Sequence, residues 1–478
     1  QEGRAQGRAE AAPVLEAVGP LGASPASPRA TRRLFGTDGV RGVANRDLTP
    51  ELALALGRAL GGRLPARSRV VVGRDTRRSG PMLEGALAAG LASAGCDPVL
   101  VGVLPTPAVA ELVPESGAAA GAVISASHNP FPDNGIKLFG PDGFKLDDAE
   151  EAAVEGALEA PGDRPEADAL GAVEHWPEGR DRYVESLISR RPVDLSGLSI
   201  VVDCAHGATT TTAPEVLRRL GARVRAIGVE PDGLNINVAC GSTDLGAVAA
   251  EVRASGADLG LAFDGDGDRV LAVDASGEVV DGDQVLAICA LDLHAGGRLA
   301  GGAVVTTTMT NLGFRRAMAD EGIEVRWTDV GDRYVLEEMR RGGCVLGGEQ
   351  SGHMINLLHG PSGDGLATAL HLLGAVTGRG VTLAEAGAVM RRLPQRLVNV
   401  RVARKGDLAG AEGVWERVRA CEAELGEDGR VVVRASGTEP LVRVMVEAPT
   451  AEACERWCDD IAAAASRELG GEPAAAAG

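Results

Sequence analysis

Three stretches of the chain repeat one pattern of apolar and polar positions. A short β-branched run leads into a loop rich in Gly, Thr and Ser, then an amphipathic Ala/Leu segment and a second apolar run. They are RVVVGRDTRRSG to PVLVGVLPTP, SIVVDCAHGATT to VRAIGVEPD, and AVVTTTMTNLG to VRWTDVGDRY. Each reads as a β-α-β unit of about 35 residues, with first strands beginning near residues 70, 200 and 304. Past LPQRLVNVRV the pattern changes to a strand, a helix carrying Trp415 and Cys421, the strands RVVVRA and LVRVMVEA, and a final Ala-rich helix. Prolines and acids interrupt the periodicity over residues 159–181, which marks a linker. The expectation is an α/β protein of three related mixed α/β domains (31–172, 173–283 and 284–394) followed by a smaller α+β C-terminal domain (395–470). Residues 1–30 are expected to be a disordered extension or a misplaced start, and 471–478 a tail.

Composition narrows the partners. The 478 residues carry 48 Lys+Arg against 67 Asp+Glu, which argues against a non-specific nucleic-acid or anionic-membrane surface. An anionic ligand must then be held by a local cluster of donors. Eight cysteines without CxxC spacing are expected to be free thiols of a cytoplasmic protein. Cys454 and Cys458 lie four apart on a predicted helix, but a zinc site needs further ligands. No apolar run is long enough to cross a membrane, and the first thirty residues hold no signal-type run. Among the cations only Lys137, Lys145 and Lys405 are lysines. Two of them sit in or just after one loop, where an amine can give up a proton and a guanidinium cannot.

That loop, ISASHNPFPDNGIK (124–137), holds Ser125, Ser127 and His128. A Ser/His pair is the obvious reading, yet neighbours on an extended strand point to opposite faces, so something other than His128 must activate a serine. AFDGDGDRV sets Asp264, Asp266 and Asp268 at alternate positions after an apolar run. Three carboxylates so spaced on a turn can converge on one hard cation. A calcium EF-hand loop is excluded, because its sixth position is Arg269 and its twelfth Ala275; a solvated acidic turn stays open. RASGTEPLVR gathers Arg434, Ser436, Gly437, Thr438 and Arg443, which suit the oxygens of a phosphate or form a plain polar turn. GGEQSGH offers Glu349 and Ser351 for sugar hydroxyls or an amine and His353 for proton transfer, or is an ordinary turn. FGTDGVRG puts Arg41 in a glycine-flanked turn, and GRDTRRSG and GDRYV repeat its Gly/Asp/Arg theme.

Taken in order, ISASHNP, DGDGDR, GEQSGH and RASGTEP make the chain resemble the α-D-phosphohexomutase superfamily from about Leu34 to Glu468. FGTDGVRG, ISASHNPFPDNGIKLFG, GLNINVACGSTD and Gln350 resemble the branch acting on glucosamine phosphates; the phosphomannomutase/phosphoglucomutase branch is the alternative. The resemblance implies four domains around a central active-site cleft and a catalytic phosphoserine at Ser127. Mg²⁺ would be held by Asp264, Asp266 and Asp268 against the Ser127 phosphate. Glucosamine 6-phosphate would pass through a 1,6-bisphosphate, with glucosamine or glucose 1,6-bisphosphate as intermediate and activator, to glucosamine 1-phosphate. It further implies that Arg434, Ser436, Gly437, Thr438 and Arg443 grip the non-reacting phosphate and that Glu349 and Ser351 bind the sugar's 3- and 4-hydroxyls. Lys137 would be the leading proton acceptor, with His353, His128 and Arg41 close by, Arg269 would neutralise phosphoryl charge, and Ser125 would be structural. The implied partner is a small phosphosugar, with no nucleic acid or membrane, for a monomer or homodimer.

Overall fold

Apolar runs that lack alternation become strands covered on both faces. Ala120–Ile124, Leu259–Phe263 and Ala303–Thr307 are buried at every position, as parallel strands between helices must be. The computed structural model describes residues 34–36, 38–159, 162, 164–436 and 440–473. The first sheet has β1 (Val40–Val43), β2 (Arg69–Arg74), β3 (Asp97–Val103), β4 (Ala120–Ile124), β5 (Asp133–Phe139) and β6 (Glu174–His175), in the order β1-β5-β4-β2-β3-β6. The second has β7 (Ser199–Asp203), β8 (Arg223–Ile227), β9 (Leu259–Phe263), β10 (Val270–Asp274) and β11 (Val279–Val280), in the order β11-β10-β9-β7-β8. The third has β12 (Ala303–Thr307), β13 (Glu324–Thr328), β14 (Leu346–Gly348) and β15 (Met354–Asn356), in the order β13-β12-β14-β15.

The three sheets share a plan. Each has a parallel trio, and the last strand of the trio turns into an antiparallel return: β4 into β5, β9 into β10, and β14 into β15. The serine, aspartate and GGEQSGH loops are these three turns. All three therefore lie at the carboxyl ends of parallel strands, where α/β sheets bind ligands.

The fourth sheet holds β16 (Gln395–Val402), β17 (Arg430–Ala435), β18 (Leu441–Glu447) and β19 (Gly471–Pro473), in the order β17-β18-β16-β19, and it is antiparallel throughout. The helices Glu412–Leu425 and Ala451–Leu469 supply the rest of its core. One continuous apolar cluster runs from Val71 through Phe263 to Met390, whereas Val398 to Leu469 form a separate one. Three domains thus share a core and the fourth keeps its own.

Polar contacts fasten the fourth domain to the third. Arg430 donates to Thr310 O (2.7 Å) and to Glu447 Oε1 (3.0 Å), with its guanidinium 5.7 Å from the Trp327 ring centre. The other oxygen of the buried Glu447 accepts from Leu312 N at 3.0 Å. Two expectations change. The linker is packed against the first sheet, because β6 pairs with β3 and Gly171 N donates to Ala92 O. Residues 471–473 leave the expected tail to pair with β16. All eight cysteines are buried and free, and Cys454 and Cys458 donate to the carbonyls of Pro394 and Arg396.

Arg430→Met should leave the Glu447 carboxylate buried without its cation and lower stability by about 1–3 kcal/mol. Urea unfolding checks this, and an unchanged midpoint would show that the contact holds nothing.

Candidate active site

The serine loop begins where β4 ends at Ile124. Ser125 is buried, with its Oγ donating to Asp75 Oδ2 (2.6 Å) and accepting from Ser127 N (3.0 Å). Ser127 takes a left-handed φ of 51°, a conformation that costs a side-chain-bearing residue energy and needs support. The strand alternation expected here therefore does not exist, and the argument that separated His128 from Ser127 fails. The His128 Nδ1 lies 3.4 Å from Ser127 Oγ. Burial, Arg269 and Arg41 push that imidazole down to about 4, so it is neutral at physiological pH. A shorter bond runs from Ser127 Oγ to Asp264 Oδ2, at 2.6 Å.

Asp264, Asp266 and Asp268 are buried on the turn from β9 to β10, with one carboxylate oxygen from each inside a 4.8 Å cluster. Asp266 Oδ1 and Asp268 Oδ1 carry no hydrogen bond. Buried, unsatisfied, anionic oxygens on one turn are the donor set a hard divalent cation takes, so the residues fit a metal. Asp266 Oδ2 accepts from Thr106 Oγ1 (2.7 Å) and Lys137 Nζ (2.8 Å), and the ammonium also lies 3.3 Å from Asp268 Oδ2. Burial and the charges of Asp268 and Asp266 push Asp264 well above the usual carboxylate range. Burial opposes ionisation at Asp268 too, but Lys137 and His353 hold it well below that range. Burial alone would lower Lys137; Asp266 and Asp268 outweigh it and raise the amine. The expected proton acceptor is thus a firmly protonated ammonium in this arrangement, because two carboxylates bind its acid form.

The third loop closes on the second. Val270 N donates to Gly352 O, and His353 Nδ1 lies 3.5 Å from Asp268 Oδ1 with Nε2 3.8 Å from Asp332 Oδ2. Burial works against a charged His353, yet Asp268 and Asp332 raise its pKa, so it holds a proton further into the neutral range. Asp332 is paired with Lys145, which also lies 3.6 Å from Asp38, and Asp38 is 3.3 Å from the Arg41 guanidinium. Arg269 Nε is 3.8 Å from Asp268 Oδ1. Glu349 Oε1 accepts from Gly331 N (3.0 Å) and burial raises its pKa, while the buried Ser351 Oγ has no hydrogen bond.

On the fourth sheet Arg434 faces Arg443 in register, and burial and that second guanidinium lower its pKa. Two cations held side by side favour an anion between them. The Ser436 carbonyl accepts from Lys405 Nζ at 2.9 Å. Gly437 and Thr438 lie outside the described residues.

Comparison with known proteins follows the same four parts. Residues 32–164, 181–277 and 281–393 match the phosphoglucomutase/phosphomannomutase α/β/α domains I, II and III, and 397–464 the C-terminal domain. The chain belongs to the phosphoglucomutase/phosphomannomutase family. It is 56% identical to the phosphoglucosamine mutase of Saccharopolyspora erythraea, over 89% of this chain and 97% of that one. Identity to the phosphoglucosamine mutase of Geobacillus thermodenitrificans is 52%, over 92% and 100%. Among solved structures, a phosphoglucomutase/phosphomannomutase family protein from Burkholderia thailandensis superposes with a TM-score of 0.78 at 26% identity, over 92% and 98%. The Aspergillus fumigatus N-acetylphosphoglucosamine mutase in complex with GlcNAc-6P and magnesium shares the fold, with a TM-score of 0.63 at 19% identity, over 91% and 96%.

The structure also brings to the site residues that the motifs alone did not single out. Thr106, Asp75, Arg77, Asn237, Asp38 and Asp332 all touch a motif residue or its backbone. The repeated Gly/Asp/Arg turns were the available signal for Asp38, Asp75, Arg77 and Asp332; Thr106 gave none. Because Thr106 orients Asp266 from another domain, Thr106→Val should weaken divalent-ion binding about tenfold, the lower end of what lost ligand-orienting contacts cost. A Mn²⁺ titration followed by electron paramagnetic resonance checks it; wild-type affinity would refute the orienting role.

Proposed function

We propose that the protein interconverts glucosamine 6-phosphate and glucosamine 1-phosphate through a phosphorylated Ser127 and a 1,6-bisphosphate. The observation that carries this reading is the 2.6 Å contact between Ser127 Oγ and the three-aspartate cluster, in a chain 56% identical to a phosphoglucosamine mutase. In the first transfer the phosphorus–Oγ bond of phospho-Ser127 breaks as a bond to the sugar O1 forms, and the O1 proton leaves to a nearby base. The bisphosphate then turns by half a revolution. In the second transfer Ser127 Oγ takes the phosphoryl group from O6, which gains a proton, and glucosamine 1-phosphate departs.

Asp264, Asp266 and Asp268 would hold Mg²⁺, as their unsatisfied oxygens permit. When bound, the ion withdraws charge from the phosphoryl oxygens and takes up carboxylate charge that otherwise holds the Lys137 proton. Lys137 and its acid form then serve the two proton movements, with His353 beside Asp268. Arg269 and Arg41 face the developing phosphoryl charge. Glu349 and the unpaired Ser351 hydroxyl hold the sugar, and Arg434 and Arg443, with Ser436, Gly437 and Thr438, hold the phosphate that is not reacting. Eight unpaired, buried thiols fit a cytoplasmic enzyme.

Phosphorus NMR with Mg²⁺, a trace of glucose 1,6-bisphosphate and, separately, glucosamine 6-phosphate, glucose 1-phosphate and mannose 1-phosphate tests the reading. Fastest conversion of the glucosamine ester is expected, and Ser127→Ala should abolish transfer. Preference for glucose or mannose would move the substrate, and release of free phosphate alone would overturn the mutase. Lys137→Arg keeps a cation but loses a titratable amine, so turnover should fall by about a hundredfold, the scale of a lost proton-transfer group. Turnover in the wild-type range would remove Lys137 from proton transfer.

A further inference from the structure

Two motifs have no part in the chemistry so far: GRDTRRSG (73–80) and GLNINVACG (233–241). They belong to different domains and meet on the same two backbone atoms. The Arg77 Nη2 donates to Ser127 O and Asn129 O, at 2.8 Å each. The Asn237 Nδ2 donates to the same pair, at 2.9 Å and 3.2 Å. A carbonyl oxygen has two lone pairs, so each is fully occupied.

Arg77 by itself suffices to satisfy the loop. It is fully buried, pairs with Asp75 at 2.8 Å, and collects Pro130 O and Asp133 O with its other terminal nitrogen. The amide of Asn237 adds something Arg77 cannot, because it comes from the domain that carries the aspartates. A β-carbon at Gly265, between Asp264 and Asp266, would stand 2.7 Å from Ser127 O and 2.8 Å from Asn237 Nδ2. The amide is wedged where the serine loop and the aspartate loop touch. The hydrogen bonds of this side-chain amide both go to the serine loop, since its Oδ1 accepts none. Asn235, two residues earlier, instead donates within its own loop, to Glu230 O.

The backbone here is under tension. Ser127, Asn237, Ala239, Ala205 and His206 have φ between 50° and 58°, five of the eight non-glycine residues with positive φ among the described residues. Asn237 N donates to Ala205 O and Thr76 Oγ1 to His206 O, so these turns are tied together and to the Arg77 motif. Strained residues persist only where their surroundings over-determine them, and such strain gathers where position matters.

We propose that Asn237, acting with Arg77, is a positioning residue for phosphoryl transfer: by fixing the Ser127 carbonyl against the aspartate loop it sets where Ser127 Oγ stands relative to Asp264. The inference rests on the phosphoserine reading above. The Asn237 amide donates to the two serine-loop carbonyls and to none of the three carboxylates, so its loss changes the transfer step and leaves substrate affinity alone.

The test uses the full chain with Asn237→Gly, which keeps the left-handed backbone and removes the donor, and Asn237→Asp, which keeps the shape and turns the donor into an acceptor. Rapid-quench measurement of phosphoryl transfer from glucose 1,6-bisphosphate to Ser127 is combined with kcat and KM for glucosamine 6-phosphate and with thermal unfolding of each variant. The expected result is a transfer rate and kcat lower by roughly tenfold or more, as misplacement of a reacting atom produces, with KM within about twofold and, for Asn237→Gly, an unfolding midpoint near that of wild type. Wild-type transfer in Asn237→Gly overturns the proposal. So does a rise in KM that matches the fall in kcat, which marks general loosening of the cleft. Arg77→Lys, which keeps the charge but loses the fork, should show the same split where it folds. A wild-type protein that takes no phosphoryl group onto Ser127 at all defeats the phosphoserine reading itself, a result distinct from equal rates in variant and wild type.

Discussion

Three carboxylates within 4.8 Å of one another, all buried, repel each other in a medium that screens them poorly. Left alone they would not ionise together, and much of the surrounding structure answers that constraint. Lys137 reaches across from the first sheet, Thr106 donates from the start of a helix, and His353 and Arg269 close the other side. Lys137, Thr106 and His353 all come from outside the aspartate turn, so compensating the charge also assembles the site. The same demand explains why the arrangement can take a dication without building new donors: two oxygens accept no hydrogen bond.

Assembly in this way is possible because three domains place equivalent turns at equivalent points. The turn from parallel trio to antiparallel return carries the serine in the first sheet, the aspartates in the second and Glu349, Ser351 and His353 in the third. One fold feature is used three times with different chemistry. The shared apolar core then fixes the three turns against one another.

Much of this was legible in the chain. The strands near 70, 200 and 304 showed because their apolar runs are long and bounded by turn residues, and the fourth domain showed because its strands alternate with amphipathic helices. The strands β6 and β19 did not, since two or three residues carry no periodicity. The aspartate cluster and the serine were visible as side chains in motifs. Their supports were not, because Arg77, Asn237 and Thr106 act across 50, 110 and 160 positions of sequence, two of them on backbone carbonyls that leave no mark in the residue pattern. Alternation misled at Ser127 because one left-handed residue takes the chain out of the strand. The scarcity of lysine drew attention to Lys137 and Lys145, which pair with Asp266 and Asp332. It could not give the protonation state of Lys137, which depends on carboxylates distant in sequence.

The separate core of the fourth domain has a mechanical consequence. A tripod of turns set on one continuous core cannot adjust its spacing to a ligand that presents first one end and then the other. The arginine pair on β17 and β18 rides on an independently packed arm, joined through Arg430, Glu447, the exposed Arg316–Asp428 pair and the Gln350–Gln395 contact. The contacts of that joint are polar and the two apolar clusters are separate, so the arm can shift against the tripod without opening either core. Compliance is confined to one limb, and the spacing of the three turns is left undisturbed.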